Sequence, residues 1–233
     1  MRSLATLLPS SCALCGQRCA GVVCEGCRFD AVAAGPRCQI CANPLPCEDA
    51  DAGRHCGLCL ARPPAFDATI AAGDYAAPLD QLLLQLKFAA RLQLAPWCAA
   101  QLRDQVLRQT AIGARLPDVI APVPLGRARL AERGFNQALE VARPLSRMLG
   151  VPLAPRLLTR VRETAPQSAV AAAARLANVR AAFAASDAAA GLHVAVVDDV
   201  MTSGRTLDAL AAALKGAGAV RVTNYVVART PPK

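Results

Sequence analysis

The chain has 233 residues, of which 54% are hydrophobic and 18% charged, so it can fold around a core and is not a largely disordered protein. The apolar run that stops at Pro9 is too short for a signal peptide, and no uncharged apolar stretch reaches the ~18 residues of a membrane span, so we expect a soluble, cytoplasmic protein. The formal net charge is +9 at pH 7, and residues 115–180 hold 11 arginines against 4 acidic residues. Such a surface suits phosphate-bearing ligands or nucleic acid, although a solvated basic face has the same composition.

The distribution of cysteine divides the chain into two parts. Ten of the 11 cysteines lie at or before Cys59, and the stiff segment Ala61-Arg62-Pro63-Pro64 follows them. We therefore predict a small cysteine-rich module over residues 1–64 and a larger domain over residues 65–233. An odd number of cysteines in a reducing compartment favours metal binding over a framework of disulfides.

The cysteine-rich module repeats a Cys-x-x-Cys pair four times. Each pair can present two thiolates from one tight turn, and two pairs complete a tetrahedral sulfur site, which at this spacing favours zinc over an iron–sulfur cluster. The predicted ligands of two zinc ions are Cys12, Cys15, Cys24, Cys27, Cys38, Cys41, Cys56 and Cys59. Four thiolates leave no open coordination position, so both zinc sites are expected to be structural.

Several details of the cysteine-rich module stay open. A single pair could serve redox chemistry, but four pairs within 48 residues favour metal. Neighbouring pairs can share a metal, or the first pair can join the third and the second the fourth. Cys19 and Cys47 are left over, His55 is an alternative ligand beside Cys56, and Cys98 is expected to be an ordinary core thiol.

Beyond residue 64, the spacing of apolar residues predicts helices that alternate with strands. In chain order we predict two helical pieces over 78–110 with the second starting near Pro96, a strand over 119–121, a loop from Pro122 to Asn136, a helix over 137–149 that ends at Gly150, a strand over 156–162, a helix over 170–182, a strand from His193 to Asp198, a helix from about Thr206 to Lys215, and a strand from Val220 to Ala228. We take the strand over 119–121 to open the sheet. The alternation predicts an α/β fold with a parallel sheet flanked by helices.

The clearest chemical signal is the segment Val196–Thr206, in which a buried strand leads through two carboxylates into a short loop and a helix. Asp198 and Asp199 stand where the apolar strand runs out. These acids would repel a bare phosphate, so we expect them to meet sugar hydroxyls, directly or through a metal ion.

The loop after the two acids combines small hydroxyl residues with one glycine. The hydroxyls of Thr202, Ser203 and Thr206, with the N–H groups at the helix start, can surround a phosphate, and Gly204 lets the backbone approach it. Ordinary helix capping would explain one hydroxyl or one carboxylate, but not this combination. The segment lacks the Gly-Lys-Ser/Thr ending of a Walker loop.

The segment Asp198–Thr206 resembles the phosphoribosyl pyrophosphate (PRPP) signature of type I phosphoribosyltransferases. The resemblance implies that the two acids contact the ribose hydroxyls, that the loop holds the 5′-phosphate, and that magnesium binds with PRPP. The loop contacts that it implies, with Met201 and Arg205 acting through their backbone, are Met201, Thr202, Ser203, Gly204, Arg205 and Thr206.

A second segment narrows the resemblance to the ComF family of competence proteins. Pro122-Val123-Pro124-Leu125, followed by Arg133-Gly134-Phe135-Asn136-Gln137, is similar to the central motif of that family. The stretch Arg160-x-Arg162-x-Thr164-x-x-Gln167 with Arg175-x-x-Asn178 is similar to its next block, and the four cysteine pairs match its double zinc ribbon. Through the central motif, Arg133 and Asn136 are implied ligand contacts.

The arginines of these two motifs have alternative roles. Arg127, Arg129 and Arg133 can neutralise a pyrophosphate, although the first two are equally compatible with a solvated loop. Arg160, Arg162 and Gln167 belong either to a hood over the ligand or to a surface for nucleic acid. Lys87 lies where ComF proteins commonly carry a lysine.

The ComF resemblance implies a role in DNA uptake and natural transformation. As an enzyme, the domain would transfer the phosphoribosyl group to an acceptor, which the sequence does not identify, with release of pyrophosphate. The alternatives are a non-catalytic module that senses PRPP, a module that binds single-stranded DNA on its basic face, and a zinc ribbon that docks on a partner such as a DNA-uptake helicase. An aromatic content of 3% weakens the version of DNA binding that depends on base stacking.

The metal assignment is tested by elemental analysis of the purified protein. We expect two zinc ions per chain, because the cysteine-rich module has few large apolar residues and needs metal binding to fold. A folded protein that contains no metal would contradict this assignment.

Overall fold

The computed structural model describes residues 10–32, 35–46, 55–161 and 182–231. Cys47, Arg162, Thr164, Gln167, Arg175 and Asn178 lie outside these ranges, as does the predicted helix over 170–182 apart from its last residue. In chain order the elements are β1 (Ser10–Ser11), β2 (Arg18–Cys19), α1 (Glu25–Ala31), α2 (Gly57–Ala61), β3 (Ala68–Asp74), α3 (Leu79–Phe88), α4 (Leu94–Ala111), β4 (Val119–Pro122), α5 (Arg127–Arg133), α6 (Gln137–Leu149), β5 (Leu158–Arg160), β6 (Phe183–Ala185), a 3-10 turn (Asp187–Ala189), β7 (His193–Met201), α7 (Arg205–Gly216) and β8 (Arg221–Arg229).

The predicted α/β class is confirmed by a parallel sheet in the order β3-β8-β7-β4. Residues 152–154 run along the outer side of β4, where Ile120 N–H donates to Pro152 O at 2.8 Å and Ala154 N–H donates to Ile120 O at 2.8 Å. The two faces of the sheet are covered by helices. Ala195 and Val197 face α3, α4 and α6, whereas Val194 and Val196 face α7, as the alternation of side chains along a strand requires.

Several predicted elements differ from the structure. The strand over 119–121 does not open the sheet, because β3 precedes it; β3 is rich in alanine and contains Gly73, a composition with a weak strand signal. The predicted loop from Pro122 to Asn136 contains α5, whose Arg, Ala, Leu and Glu residues favour helix until Gly134 ends it in a left-handed conformation. The strand predicted over 156–162 shortens to β5 and pairs antiparallel with β6 outside the main sheet.

The cysteine-rich segment packs directly on the sheet and its helices. Backbone N–H of Thr69 on edge strand β3 donates to Gln39 O at 3.0 Å, and Arg37 Nη2 lies 2.9 Å from Asp74 Oδ1. These contacts cover an edge that would otherwise present unpaired backbone groups. The domain boundary at residue 64 stays a prediction. None of the described helices is both long and apolar enough to cross a bilayer.

Arg229, at the end of β8, joins the cysteine-rich segment to the loop after β7. Its side chain is buried, with the residue only 6% exposed. Nε donates to Cys41 O at 2.9 Å, and Nη1 donates to Met201 O at 3.0 Å, to Thr230 O at 2.7 Å and to Thr202 O. One guanidinium therefore satisfies backbone carbonyls from two separate parts of the chain.

Replacing Arg229 should cost stability well beyond an average substitution. In Arg229→Met the carbonyls of Cys41 and Thr202 lose their buried donor, and that of Met201 keeps only the N–H of Thr230, so we expect the melting temperature to fall by about 5 °C or more. Differential scanning fluorimetry of the zinc-loaded protein measures this. Arg221→Met is the matched control, because Arg221 is exposed at the start of the same strand. Equal melting temperatures for the two variants would contradict this role of Arg229.

Candidate functional site

The two predicted acids lie within β7, two and three residues before its end at Met201. Asp199 is buried, with 4% of the residue exposed, and its Oδ2 lies 2.7 Å from Lys87 Nζ on α3. Asp198 is half-buried. Each carboxylate also accepts the N–H of the next residue at 2.9 Å, so the orientation of both side chains is fixed.

The electrostatics of the acid pair follow from its burial. Burial raises the pKa of the Asp198 carboxyl well above its usual range, and the charge of Asp199 raises it further, while Lys87 acts in the opposite direction. Two adjacent carboxylates with one nearby ammonium group leave room for further positive charge or for hydrogen-bond donors. Sugar hydroxyls and a divalent cation are ligands of this kind.

The loop that follows β7 presents its hydroxyl groups to solvent. Thr202, Ser203 and Thr206 are exposed, while Met201 is buried beneath them. Gly204 precedes α7 with φ of +75°, and a Cβ at this position would lie 2.6 Å from Met201 Cε. The positive φ favours glycine at this turn, which brings exposed hydroxyls and the positive end of a 12-residue helix together.

The predicted ligand contacts of the central motif have different surroundings. The Asn136 side chain accepts the N–H of Ala138 at 3.0 Å as the N-cap of α6, and its Nδ2 donates to Val123 O at 3.0 Å. The structure therefore shows a role for Asn136 in holding the loop after β4. Arg133 is half-buried, and its Nη1 donates to Gln137 Oε1 at 2.7 Å. Arg127 and Arg129 are exposed on α5.

Two residues at the site were missed or undervalued by sequence reasoning. Phe88 is exposed at the end of α3, and the guanidinium carbon of Arg133 lies 5.4 Å from the centre of its ring. From the sequence alone, an apolar residue at the end of an amphipathic helix cannot be distinguished from the buried apolar residues before it. Lys87, which the sequence marked only by its position in the ComF resemblance, forms an ion pair with Asp199.

The eight predicted metal ligands form two groups, Cys12, Cys15, Cys24 and Cys27, and Cys38, Cys41, Cys56 and Cys59. Within each group the sulfur atoms lie within 4.8 Å of one another; Cys15 Sγ and Cys24 Sγ are 3.8 Å apart, and Cys41 Sγ and Cys56 Sγ are 3.5 Å apart. Four sulfurs at ~2.3 Å from a tetrahedral zinc ion are separated by about 3.8 Å, so the geometry fits zinc.

This grouping decides between the two pairings that the sequence left open. Neighbouring cysteine pairs share a site, and among the described residues neither Cys19 nor His55 belongs to a group. Cys98 is a core thiol as predicted, and burial raises its pKa to about 12.

A cavity of about 370 Å³ lies away from the two acids and the hydroxyl loop, at the amino end of the sheet. Its walls include Asp67, His193 and Arg221, which lie at the start of three strands, and Gln109 near the end of α4. None of its lining residues belongs to the segment 198–206. The size of this cavity suits a small molecule, but the acid pair and the hydroxyl loop predicted to bind the ligand lie at the opposite end of the strands.

The family model of the phosphoribosyl transferase domain matches residues 136–233, which include the acid pair and the loop after β7. A solved glutamine PRPP amidotransferase from B. subtilis, complexed with ADP and GMP, is 21% identical over 57% of this chain and 25% of that chain, with a TM-score of 0.40. A purine phosphoribosyltransferase from Pyrococcus horikoshii is 20% identical over 57% of this chain and 83% of that chain, with a TM-score of 0.33.

Curated relatives match over most of the chain. The DNA utilization protein YhgH of Salmonella typhimurium is 39% identical over 176 residues, which are 75% of this chain and 78% of that protein, and its counterpart in Escherichia coli is 38% identical over the same lengths. Competence protein F of Haemophilus influenzae is 31% identical over 214 residues, or 89% of this chain and 90% of that protein. With its phosphoribosyltransferase domain and its two groups of four cysteines, the chain belongs to the ComF family.

Proposed function

We propose that this protein binds PRPP with magnesium in the crevice at the carboxyl ends of β4 and β7, as part of the handling of DNA during natural transformation. One observation carries the proposal: an acid pair, of which Asp199 is buried and Asp198 half-buried, and a loop of exposed hydroxyls follow one another at the end of a single strand, ahead of a helix. The names of the relatives, which refer to DNA utilization and competence, support the biological part.

The sheet topology supports a ligand site in this crevice. After β4 the chain continues through α6 to residues 152–154, on the outer side of β4. After β7 it continues through α7 to β8, on the other side. Open α/β sheets bind ligands where two neighbouring parallel strands send the chain in opposite directions in this way.

In the proposed complex, each part of PRPP meets protein groups of suitable chemistry. The 5′-phosphate is received by the hydroxyls of Thr202, Ser203 and Thr206, and by the N–H groups at the start of α7. The ribose hydroxyls meet Asp198 and Asp199. Magnesium, when bound with the ligand, neutralises charge on the pyrophosphate and makes it a better leaving group.

The pyrophosphate end of the ligand would meet the loop after β4. Asn136 fixes this loop through Val123 O, and Arg133 supplies positive charge beside it. If the domain catalyses transfer, positioning and charge stabilisation are its main contributions, with cations on the departing pyrophosphate and carboxylates near the ribosyl group.

The wider setting of the proposal is DNA metabolism in the cytoplasm. The arginines of residues 115–180 would contact the backbone of single-stranded DNA, and such contacts weaken as salt rises. The cysteine-rich segment would serve as a docking surface for a protein partner, such as a helicase of DNA uptake.

Calorimetric titration with PRPP and magnesium tests the ligand site. We expect Asp199→Asn to weaken binding by about tenfold or more, because hydrogen bonds to a charged group are lost. Asp104→Asn, which lies on α4 and outside the predicted ligand contacts, is the matched control and should bind like the original protein. Unchanged affinity in a folded Asp199→Asn variant would reject the assignment.

Release of pyrophosphate distinguishes a transferase from a sensor. The protein is incubated with PRPP, magnesium and each common nucleobase in turn, and the pyrophosphate released from PRPP is measured over time. Turnover with one base supports the enzyme, whereas PRPP binding without turnover over the whole panel supports the non-catalytic alternative.

A further inference from the structure

The cavity of about 370 Å³ at the amino end of the sheet, here called the amino-end cavity, is lined by polar side chains where a packed core is expected. On β8, Arg221, Thr223 and Tyr225 alternate with the residues that face α7, so these three lie on the face covered by α4. Parallel strands with helices on both faces usually carry apolar residues at such positions. Open space beside polar groups under a helix is characteristic of a ligand site.

Tyr225 points most directly to a ligand. The residue is only 2% exposed, and it lines the amino-end cavity. Burial raises the pKa of its hydroxyl, which therefore stays protonated and can both donate and accept a hydrogen bond. In the part of the chain that the structure describes, no group forms a hydrogen bond with this hydroxyl. Because buried polar groups almost always have a partner, a group of the ligand is the partner that we expect.

The polar groups beside Tyr225 are fixed and uncharged. His193 Nε2 lies 2.8 Å from Thr223 Oγ1, and the backbone N–H of His193 donates to Asp118 Oδ2 at 2.7 Å. Burial lowers the pKa of His193, and the charge of Arg221 lowers it further, while Asp118 acts in the opposite direction. The imidazole is therefore neutral at pH 7, and it contributes hydrogen bonding to the cavity rather than charge.

The charged side chains around the amino-end cavity leave an excess of positive charge. Arg115 and Arg221 are exposed at its rim, and neither forms an ion pair with a described residue. Asp67 is the one acid among the described lining residues, and it is already engaged: its Oδ1 lies 2.7 Å from Lys215 Nζ, and its Oδ2 accepts the N–H of Val222 at 2.7 Å. Two guanidinium groups that no acid balances attract an anion.

The orientation of helix α4 distinguishes between kinds of anion. Gln105 and Gln109, in the last two turns of the helix, line the amino-end cavity, and the helix ends at Ala111. A helix C-terminus carries partial negative charge, whereas phosphate groups are typically bound at helix N-termini. A carboxylate needs no helix N-terminus, because its two oxygens match the geometry of a guanidinium group. The amino-end cavity therefore favours a carboxylate over a phosphorylated ligand such as PRPP.

We propose that the amino-end cavity binds a small polar organic acid, with its carboxylate at Arg115 and Arg221 and a polar group at the hydroxyl of Tyr225. The volume of the cavity is near the lower end of the range for ligand pockets, which limits the ligand to a small molecule. This site is separate from the proposed PRPP crevice, because none of its lining residues belongs to the segment 198–206. The chain would thus hold two ligands, one at each end of the sheet.

Calorimetric titration of the zinc-loaded protein with L-malate, L-glutamate and citrate tests this proposal. We expect at least one of these acids to bind with a Kd below about 1 mM. Tyr225→Phe should weaken that binding by about tenfold and leave the melting temperature of the unliganded protein unchanged, because its hydroxyl has no partner there. Arg221→Gln should weaken binding to a similar extent, because the guanidinium contact with the carboxylate is lost. Tyr75→Phe is the matched control, since Tyr75 is the other tyrosine of the chain and does not line the cavity, and it should bind like the original protein.

Three results would overturn the proposal. If none of the three acids binds, the cavity is not a site for organic acids. If either Tyr225→Phe or Arg221→Gln leaves the affinity unchanged, the ligand is not placed as proposed. If ribose 5-phosphate binds and loses affinity in Tyr225→Phe, the cavity takes phosphorylated ligands instead.

Discussion

The loop that follows β7 is held by the buried guanidinium of Arg229, and the arrangement of the candidate site depends on this contact. A guanidinium cannot be buried without partners, because removing it from water costs several kcal/mol. Its partners here are carbonyl groups of Cys41 on one side and of Met201 and Thr202 on the other. The second cysteine group and the proposed phosphate loop therefore share one residue, and a disturbance of either should reach the other.

The first cysteine group supports the opposite wall of the same crevice. Gln85 Nε2 on α3 donates to Ala13 O at 3.1 Å, between Cys12 and Cys15, and Cys12 belongs to the hydrophobic cluster that contains the buried leucines of α3. Two residues further along α3, Lys87 contacts Asp199. Each four-cysteine group thus braces one side of the acid pair and its loop. A structural metal ion with four thiolate ligands has no bound water and takes no part in catalysis itself. By fixing a short segment of the chain, it can nevertheless hold a neighbouring ligand site in a precise geometry.

The sequence predicted those features that depend on local pattern. Four Cys-x-x-Cys pairs, the apolar run before Asp198 and the glycine that ends α6, Gly150, each determine their surroundings within a few residues. Features that depend on contacts distant in sequence were missed. Strand β3 has weak strand propensity and is stabilised by β8 and by Gln39. Arg229 finds its partners in Cys41, Met201 and Thr202, 27 to 188 residues away. Nothing near Phe88 in the chain indicates that it stays largely exposed, since exposure is a property of the folded molecule.

Hydrogen–deuterium exchange tests the location of the ligand most directly, because it reports protection segment by segment on the intact zinc-loaded protein. With PRPP and magnesium present, we expect slower exchange in peptides that span residues 199–208 and 123–136, at the carboxyl ends of β7 and β4. Peptides over residues 105–115, which border the cavity at the amino end of the sheet, should be unaffected. Protection confined to residues 105–115, with no change over 199–208, would contradict the account.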